Sequence, residues 1–269
     1  MPRPRLITLP VLTALSLVAL TAPPTHAEPT ARELAEAAFA PERLGFSAGS
    51  ATLSLELRDE AGRVLTRKLE AKTRVDGPTR KMRLTFLEPV DQRGVELLMV
   101  ERRGESPLQY LWLPRSAELR RITGHDREGR LGGSDFSLAD LEGKDLSQAD
   151  ITRLPDVELL GTPCYVLALS PKPNTPAANG YSRVVAWVMK DGLLPVKIDF
   201  EREKDGTSQP VRRIEVKKLA RVGKDKRLAP SRLVMTDLTR STRTTLDLVA
   251  QNPDASFPDT LFRPESLGR

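Results

Sequence analysis

The sequence predicts a mainly β protein built on one strongly curved antiparallel sheet. Three observations carry that reading. From residue 50 onward apolar residues recur at every second position, the alternating runs are short and joined by polar turns, and stretches with helical spacing are scarce. Alternation gives each strand one apolar and one charged face. Such a face cannot stay wet, because each large aliphatic left exposed forgoes about 1.5–3 kcal/mol. The sheet must therefore close into a barrel, pair with a second sheet, or be covered by helices.

The first element has helical spacing over residues 30–39. Thr30 caps it, Glu33 completes a capping box, and Leu34, Ala35, Ala38 and Phe39 form one apolar face before Pro41. The period then becomes two. Leu53, Leu55 and Leu57 alternate with polar residues, and Asp59 to Gly62 turn the chain. Leu65, Leu69, Ala71 and Val75 follow, then the Asp76-Gly77-Pro78 turn, then Met82, Leu84 and Phe86. Val95, Leu97 and Met99 continue this meander, and residues 108–113 add a strand that Pro114 stops. Later strands are expected at 157–160, 164–169, 184–189, 194–200, 211–219, 232–238 and 242–249, with Asp191-Gly192 a hairpin signal and residues 171–180 a Pro/Asn-rich loop. In the tail, Phe257, Leu261, Phe262 and Leu267 stand among prolines and read as an irregular cover.

Residues 1–27 read as a secretory signal. Arg3 and Arg5 precede an apolar run over 6–20, and Ala27 ends a small-residue cleavage pattern. The exported chain, residues 28–269, is expected in the periplasm of a two-membrane bacterium as a single domain. Losing Arg3 and Arg5 takes the formal charge from +6 to +4. That basic balance permits contact with an anionic membrane surface or an acidic partner. Cys164 is the sole cysteine, so no internal disulfide forms, and its place in an apolar strand points to a buried, inert thiol.

Catalytic signals are thin. The exported chain has one histidine, His125, beside Asp126 and near Ser134 and Asp135 in sequence, with no nucleophile-elbow pattern. One Cys and one His do not make a zinc site. The acids Asp135, Asp140, Glu142, Asp145 and Asp150 lack EF-hand spacing and read first as caps and a solvated loop. No phosphate-cradling loop occurs, and aromatics are 4% of the chain, which disfavours stacking on bases. No enzyme, cofactor, metal or nucleic-acid partner is expected.

The stretch over 110–141 organises the rest. An apolar strand, Tyr110 to Leu113, hands over to a basic segment with Arg115, Arg120 and Arg121. A polar Gly129–Gly133 loop follows, and then a short capped helix in which Asp135 or Ser137 is the cap and Phe136, Leu138 and Leu141 the apolar side. The run from Leu113-Pro114 through Arg120-Arg121-Ile122 to Gly133-Ser134-Asp135-Phe136-Ser137 and Asp140-Leu141 resembles the LolA-like outer-membrane lipoprotein-sorting proteins, which are periplasmic lipoprotein carriers. The resemblance extends over most of the exported chain.

It implies an incomplete, or half, β-barrel of about eleven strands with a small helical lid over its hydrophobic mouth. It also implies a carrier that binds lipid chains, lipoprotein acyl groups or free lipid, for transfer to the outer membrane. An inner-membrane lipid transporter is the implied partner, and a monomer is expected. The inward residues Leu53, Leu55, Leu57, Met82, Leu84, Phe86, Val95, Leu97, Met99, Tyr110 and Trp112 are then the expected lipid-binding wall. Phe136, Leu138 and Leu141 are the expected lid. Arg115, Arg120 and Arg121 form a basic rim for docking a partner, and an envelope adaptor that docks through this rim without binding lipid is the alternative.

Overall fold

The computed structural model describes residues 28–40, 48–102, 105–143, 145–172, 180–223 and 226–269. The expected signal segment and most of the 171–180 loop lie outside them. One helix, α1 (Ala31–Ala38), precedes the strands. These are β1 (Gly49–Arg58), β2 (Val64–Asp76), β3 (Thr79–Glu88), β4 (Glu96–Arg102), β5 (Leu108–Leu113), β6 (Glu118–Ile122), β7 (Ala149–Leu159), β8 (Thr162–Pro171), β9 (Arg183–Met189), β10 (Pro195–Lys204), β11 (Thr207–Val222), β12 (Arg227–Asp237) and β13 (Thr242–Asn252).

All thirteen form one open antiparallel sheet, in the order β6-β5-β4-β3-β2-β1-β13-β12-β11-β10-β9-β8-β7. β6 and β7 are its free edges. The strands thus run outward from β1 to one edge, and the chain then crosses over residues 123–148 to the other edge and returns. That crossing segment is the lid, and it lies over the apolar, concave face.

Thirteen strands exceed the expected number of about eleven; every span read from the sequence finds its strand, and the addition is β6. Its residues, Glu-Leu-Arg-Arg-Ile, show no clean alternation, because an edge strand is held by backbone pairing to β5 and buries only Ile122 while the rest of its side chains stay wet. β7 also begins at Ala149, well before the expected Val157. α1 forms as expected: Thr30 accepts from the Glu33 backbone N–H, and the Glu33 carboxylate accepts in return from Thr30. Its Leu34, Ala35 and Ala38 pack on Leu167, Leu169, Ala186 and Val188, which covers the β7–β9 end of the concave face. The Asp191-Gly192 hairpin joins β9 to β10, with Gly192 at a φ of 81° that glycine adopts freely. Among the described residues no helix is long and apolar enough to cross a membrane.

The convex face is charged and laced with cross-strand ion pairs, such as Arg213 with Asp199 at 2.6 Å and Arg232 with Asp247 at 2.6 Å. One area differs. Over β3–β5 the tail from Phe257 runs back as a strap, burying Phe262 and Leu267 against Leu98, with Tyr110, Trp112, Phe257 and Leu261 around them. Beneath it Arg83 and Glu96 form a buried pair at 2.7 Å. Arg83 also donates to the backbone oxygens of Leu261 and Ser266, and the Glu96 carboxylate accepts from the Gly268 N–H at 2.9 Å. A side chain at Gly268 would collide with the Trp112 ring, so the strap fits only with glycine there.

Candidate functional site

The concave wall is built by β1–β4 and extended by β10–β13. Leu53, Leu55, Leu57, Met82, Leu84, Phe86, Leu97 and Met99 are buried in one apolar cluster with Leu69, Ala71, Phe200 and Met235, and Val95 packs against it. Register explains this. Leu53 stands opposite Leu69, Ala71 opposite Leu84, Met82 opposite Met99 and Leu97 opposite Leu111, so each pair shares a face.

Tyr110 and Trp112 do not belong to that wall. Tyr110 pairs with Leu98 and Trp112 with Glu96, and both point to the convex face, under the strap. Gln109 and Leu111 take the inward positions instead. The run Tyr110–Leu113 is apolar throughout because both faces of β5 are covered there, so its periodicity carries no phase.

The lid packs its apolar side onto the wall. Leu131, Phe136 and Leu138 are buried in the wall's own cluster and Leu141 is half-buried against it. The expected short helix is a single 3-10 turn, Leu138–Leu141. Ser137 caps it by accepting from the Asp140 N–H, and the Asp140 carboxylate accepts from the Ser137 N–H at 2.7 Å. The wall is therefore covered by lid side chains. A side chain at Gly132, whose φ is 55°, would lie 2.6 Å from the Phe86 ring, which shows how closely the lid backbone approaches the wall.

Polar contacts fasten the lid at separate points. Asp135 is buried. Its carboxylate accepts from Thr244 at 2.7 Å and Thr242 at 2.5 Å and pairs with Arg130, while its N–H donates to Thr244 Oγ1 at 2.8 Å. Arg212, on the concave side of β11, pairs with Asp140 at 2.6 Å, donates to the Asp135 carbonyl, and meets Tyr181 Oη at 2.6 Å. Burial alone would lower the Arg212 pKa, but Asp140 and Tyr181 outweigh it and hold the guanidinium above its ordinary value. Burial pushes the Tyr181 phenol up. Gln109, fully buried, donates to the Leu138 carbonyl at 3.2 Å and to Glu142 at 2.7 Å, and Glu142 also pairs with Arg127. Asp140 Oδ1 and Gln109 Oε1 are buried without a partner.

Arg212, Tyr181, Gln109 and Thr244 were not among the expected site residues. Arg212 alone left a trace in sequence, as a cation breaking an otherwise apolar inward row with Ile214.

The acids of the 135–150 segment are spent on separate contacts. Asp135 binds β13, Asp140 binds Arg212, Glu142 binds Arg127, and Asp145 caps the turn Leu146–Gln148. Among the described residues no three of His, Cys, Asp and Glu gather as metal ligands would. His125 is 91% exposed while Ser134 is fully buried, so they share no site. Burial pushes the Cys164 thiol up, away from reactivity. The basic rim is split: Arg115 lies in the β5–β6 turn, Arg120 is opposite Leu111 on the concave side and paired to Glu118 at 2.7 Å, and Arg121 is opposite Tyr110 on the convex side.

A family described as "Uncharacterized protein" matches residues 78–269, most of the chain. The chain belongs to that family. Solved structures then show that its fold is LolA-like. A DUF1329 family protein from Desulfovibrio piger superposes with a TM-score of 0.77 at 22% identity, over 88% of this chain and 98% of that one. An outer membrane lipoprotein-sorting protein domain from Vibrio parahaemolyticus gives 0.73 at 23% identity, over 85% and 94%. A LolA superfamily protein from Nitrosomonas europaea gives 0.66 at 17%, over 87% and 98%. No curated protein matches significantly. The LolA-like sheet is open here, with the lid as the only cover between α1 and the β6 edge among the described residues.

Proposed function

We propose that this LolA-like protein is a periplasmic carrier that shields lipid chains, on a lipoprotein or a free lipid, against the concave wall, without covalent chemistry. The observation that carries the reading is the nature of the cover. An apolar wall spanning β1–β4 and β10–β13 is roofed by a non-α-helical segment whose Leu131, Phe136 and Leu138 do what an acyl chain would do. Methylenes replace those side chains at similar burial, so exchange of lid for ligand leaves the sum of buried apolar surface little changed. Met82 and Met99 add a lining that adapts to different chains. Tail transfer to the outer membrane and a transporter as donor remain parts of the same reading, supported by the fold's likeness to the lipoprotein-sorting domain.

A filled interior also suits the second reading, an envelope adaptor that docks through Arg115, Arg120 and Arg121. The separation of Arg120 from Arg121 by the sheet, and the pairing of Arg120 with Glu118, weigh against it.

Uptake of a fluorescent fatty-acid probe and its displacement by phospholipid separate the two. The carrier takes up the probe, and Leu84→Gln and Met99→Gln weaken uptake about tenfold or more, since a buried amide without a partner costs about 1–3 kcal/mol. Trp112→Gln, on the convex face, leaves uptake unchanged. A folded wild-type protein that ignores the probe excludes the carrier.

A further inference from the structure

We propose that the pocket at the turn between β1 and β2 seats the anionic head of an amphiphile, a phosphate or carboxylate whose alkyl tail continues beneath the lid. The inference rests on the carrier reading and adds a charge requirement to it. The pocket, about 320 Å3, is lined by the aliphatic Leu57 and Leu65, by three arginines, Arg58, Arg63 and Arg130, and by two acids, Asp59 and Asp135. Leu65 is 56% exposed, whereas Leu69, two pleats inward on the same face, is buried. An exposed aliphatic among arginines matches the junction where a charged head meets its first methylenes.

Arg67, just outside that lining, lies between Leu65 and Leu69 on the same face, opposite Leu55. Its guanidinium donates to two backbone carbonyls, Gly132 at 3.2 Å and Thr66 at 2.8 Å, and has no carboxylate partner among the described residues. Its planar fork fits two oxygens of one anion. The rim arginines have acidic neighbours: Arg58 with Glu56 at 3.1 Å, Arg63 with Asp59 at 2.6 Å, and Arg130 with Asp135. The first two pairs are solvated, the Arg63 side chain being 82% exposed, and such pairs hold weakly. An incoming head can therefore exchange one acceptor for another at Arg58 and Arg63. Asp135 stays engaged by Thr242 and Thr244.

Calorimetric titration of the full chain with decyl phosphate, decanoate, decanol and inorganic phosphate tests this. At low salt the two charged amphiphiles bind about tenfold or more tighter than decanol, and added NaCl shrinks that ratio. Arg67→Gln brings the ratio close to one. Arg63→Gln, at an exposed position where folding is not at stake, lowers it in the same direction and serves where Arg67→Gln fails to fold. A preference for decyl phosphate over decanoate assigns the seat to a phospholipid head, and the reverse assigns it to a fatty acid; both support the seat. Decanol binding as tightly as decyl phosphate overturns it and leaves the carrier standing. Inorganic phosphate binding as tightly as decyl phosphate also overturns it, leaving a plain anion site. Failure of every alkyl probe overturns the carrier itself.

Discussion

The buried Asp135 carboxylate ties the lid to a strand remote in sequence. As one of two candidate caps Asp135 lost to Ser137, and its carboxylate instead joins Thr242 and Thr244, more than 100 positions away. Local spacing identifies caps, whereas a contact made only once the sheet has brought β13 under the lid leaves no local trace. Arg212 is the same kind of case. Its pair with Asp140 is buried, so removing one partner strands the other: Arg212→Met is expected to destabilise by about 3–5 kcal/mol. Arg212→Met with Asp140→Leu recovers much of that loss, because neither group is then left charged and alone. Chemical denaturation of both single variants and the double gives the coupling, expected at about 3 kcal/mol or more, and additivity of the single effects contradicts a coupled Arg212–Asp140 pair. Thr244→Val keeps the shape but deprives Asp135 of a donor and an acceptor, at a cost of about 1–3 kcal/mol.

At the scale of elements, the meander β1–β3, α1 with its capping box, and the β9–β10 hairpin were legible because each is decided by neighbours in sequence. β6 was not, since an edge strand needs no apolar face, and the phase of β5 was not, since a run covered on both sides alternates nothing. What covers its second face is the C-terminal strap, whose four apolar residues were readable as a cover but not as the cover of Tyr110 and Trp112. The strap is tied by Arg74 to the Phe257 carbonyl, by Lys81 to Asp259, and by Arg83 to Leu261 and Ser266. Lys81 beside Asp259 holds that carboxyl below its ordinary value of 3.8. A carboxylate with a depressed folded pKa stabilises fully above its unfolded value and loses that effect as pH falls through the folded one. Strap docking is therefore expected to be constant from about pH 8 to 5 and to weaken below about pH 4. Trp112 fluorescence, read in a Trp187→Phe background, reports it, and Asp259→Asn shows part of the acid change already at neutral pH. A Trp112 signal that shifts between pH 8 and 5 contradicts this assignment.

The whole molecule is a sheet that never closes, and its two edges are managed differently. β6 is short and charged, while β7 carries Pro155 where its pairing with β8 is shifted, and both features discourage another chain from adding a strand. Because the chain reaches β7 from β6 only by crossing the concave face, the lid is the connection between the two halves of the sheet, and it cannot leave altogether. It can only lift between fixed ends. Its burial of Leu131, Phe136 and Leu138 is worth about 1.5–3 kcal/mol per side chain before the cost of ordering the segment, whereas the strands share a continuous ladder of backbone bonds. Lid opening should thus need less free energy than unfolding of β1–β3, and amides over 129–141 should exchange hydrogen faster than those of Leu53, Leu69 and Leu84. Adding a long-chain phospholipid should speed exchange in the lid and leave those strands as protected as before, since an acyl chain in the wall displaces lid side chains and keeps the strands dry. Lid and strand amides exchanging in step, with no response to lipid, would make residues 123–148 a permanent part of the core and end the case for a ligand beneath them.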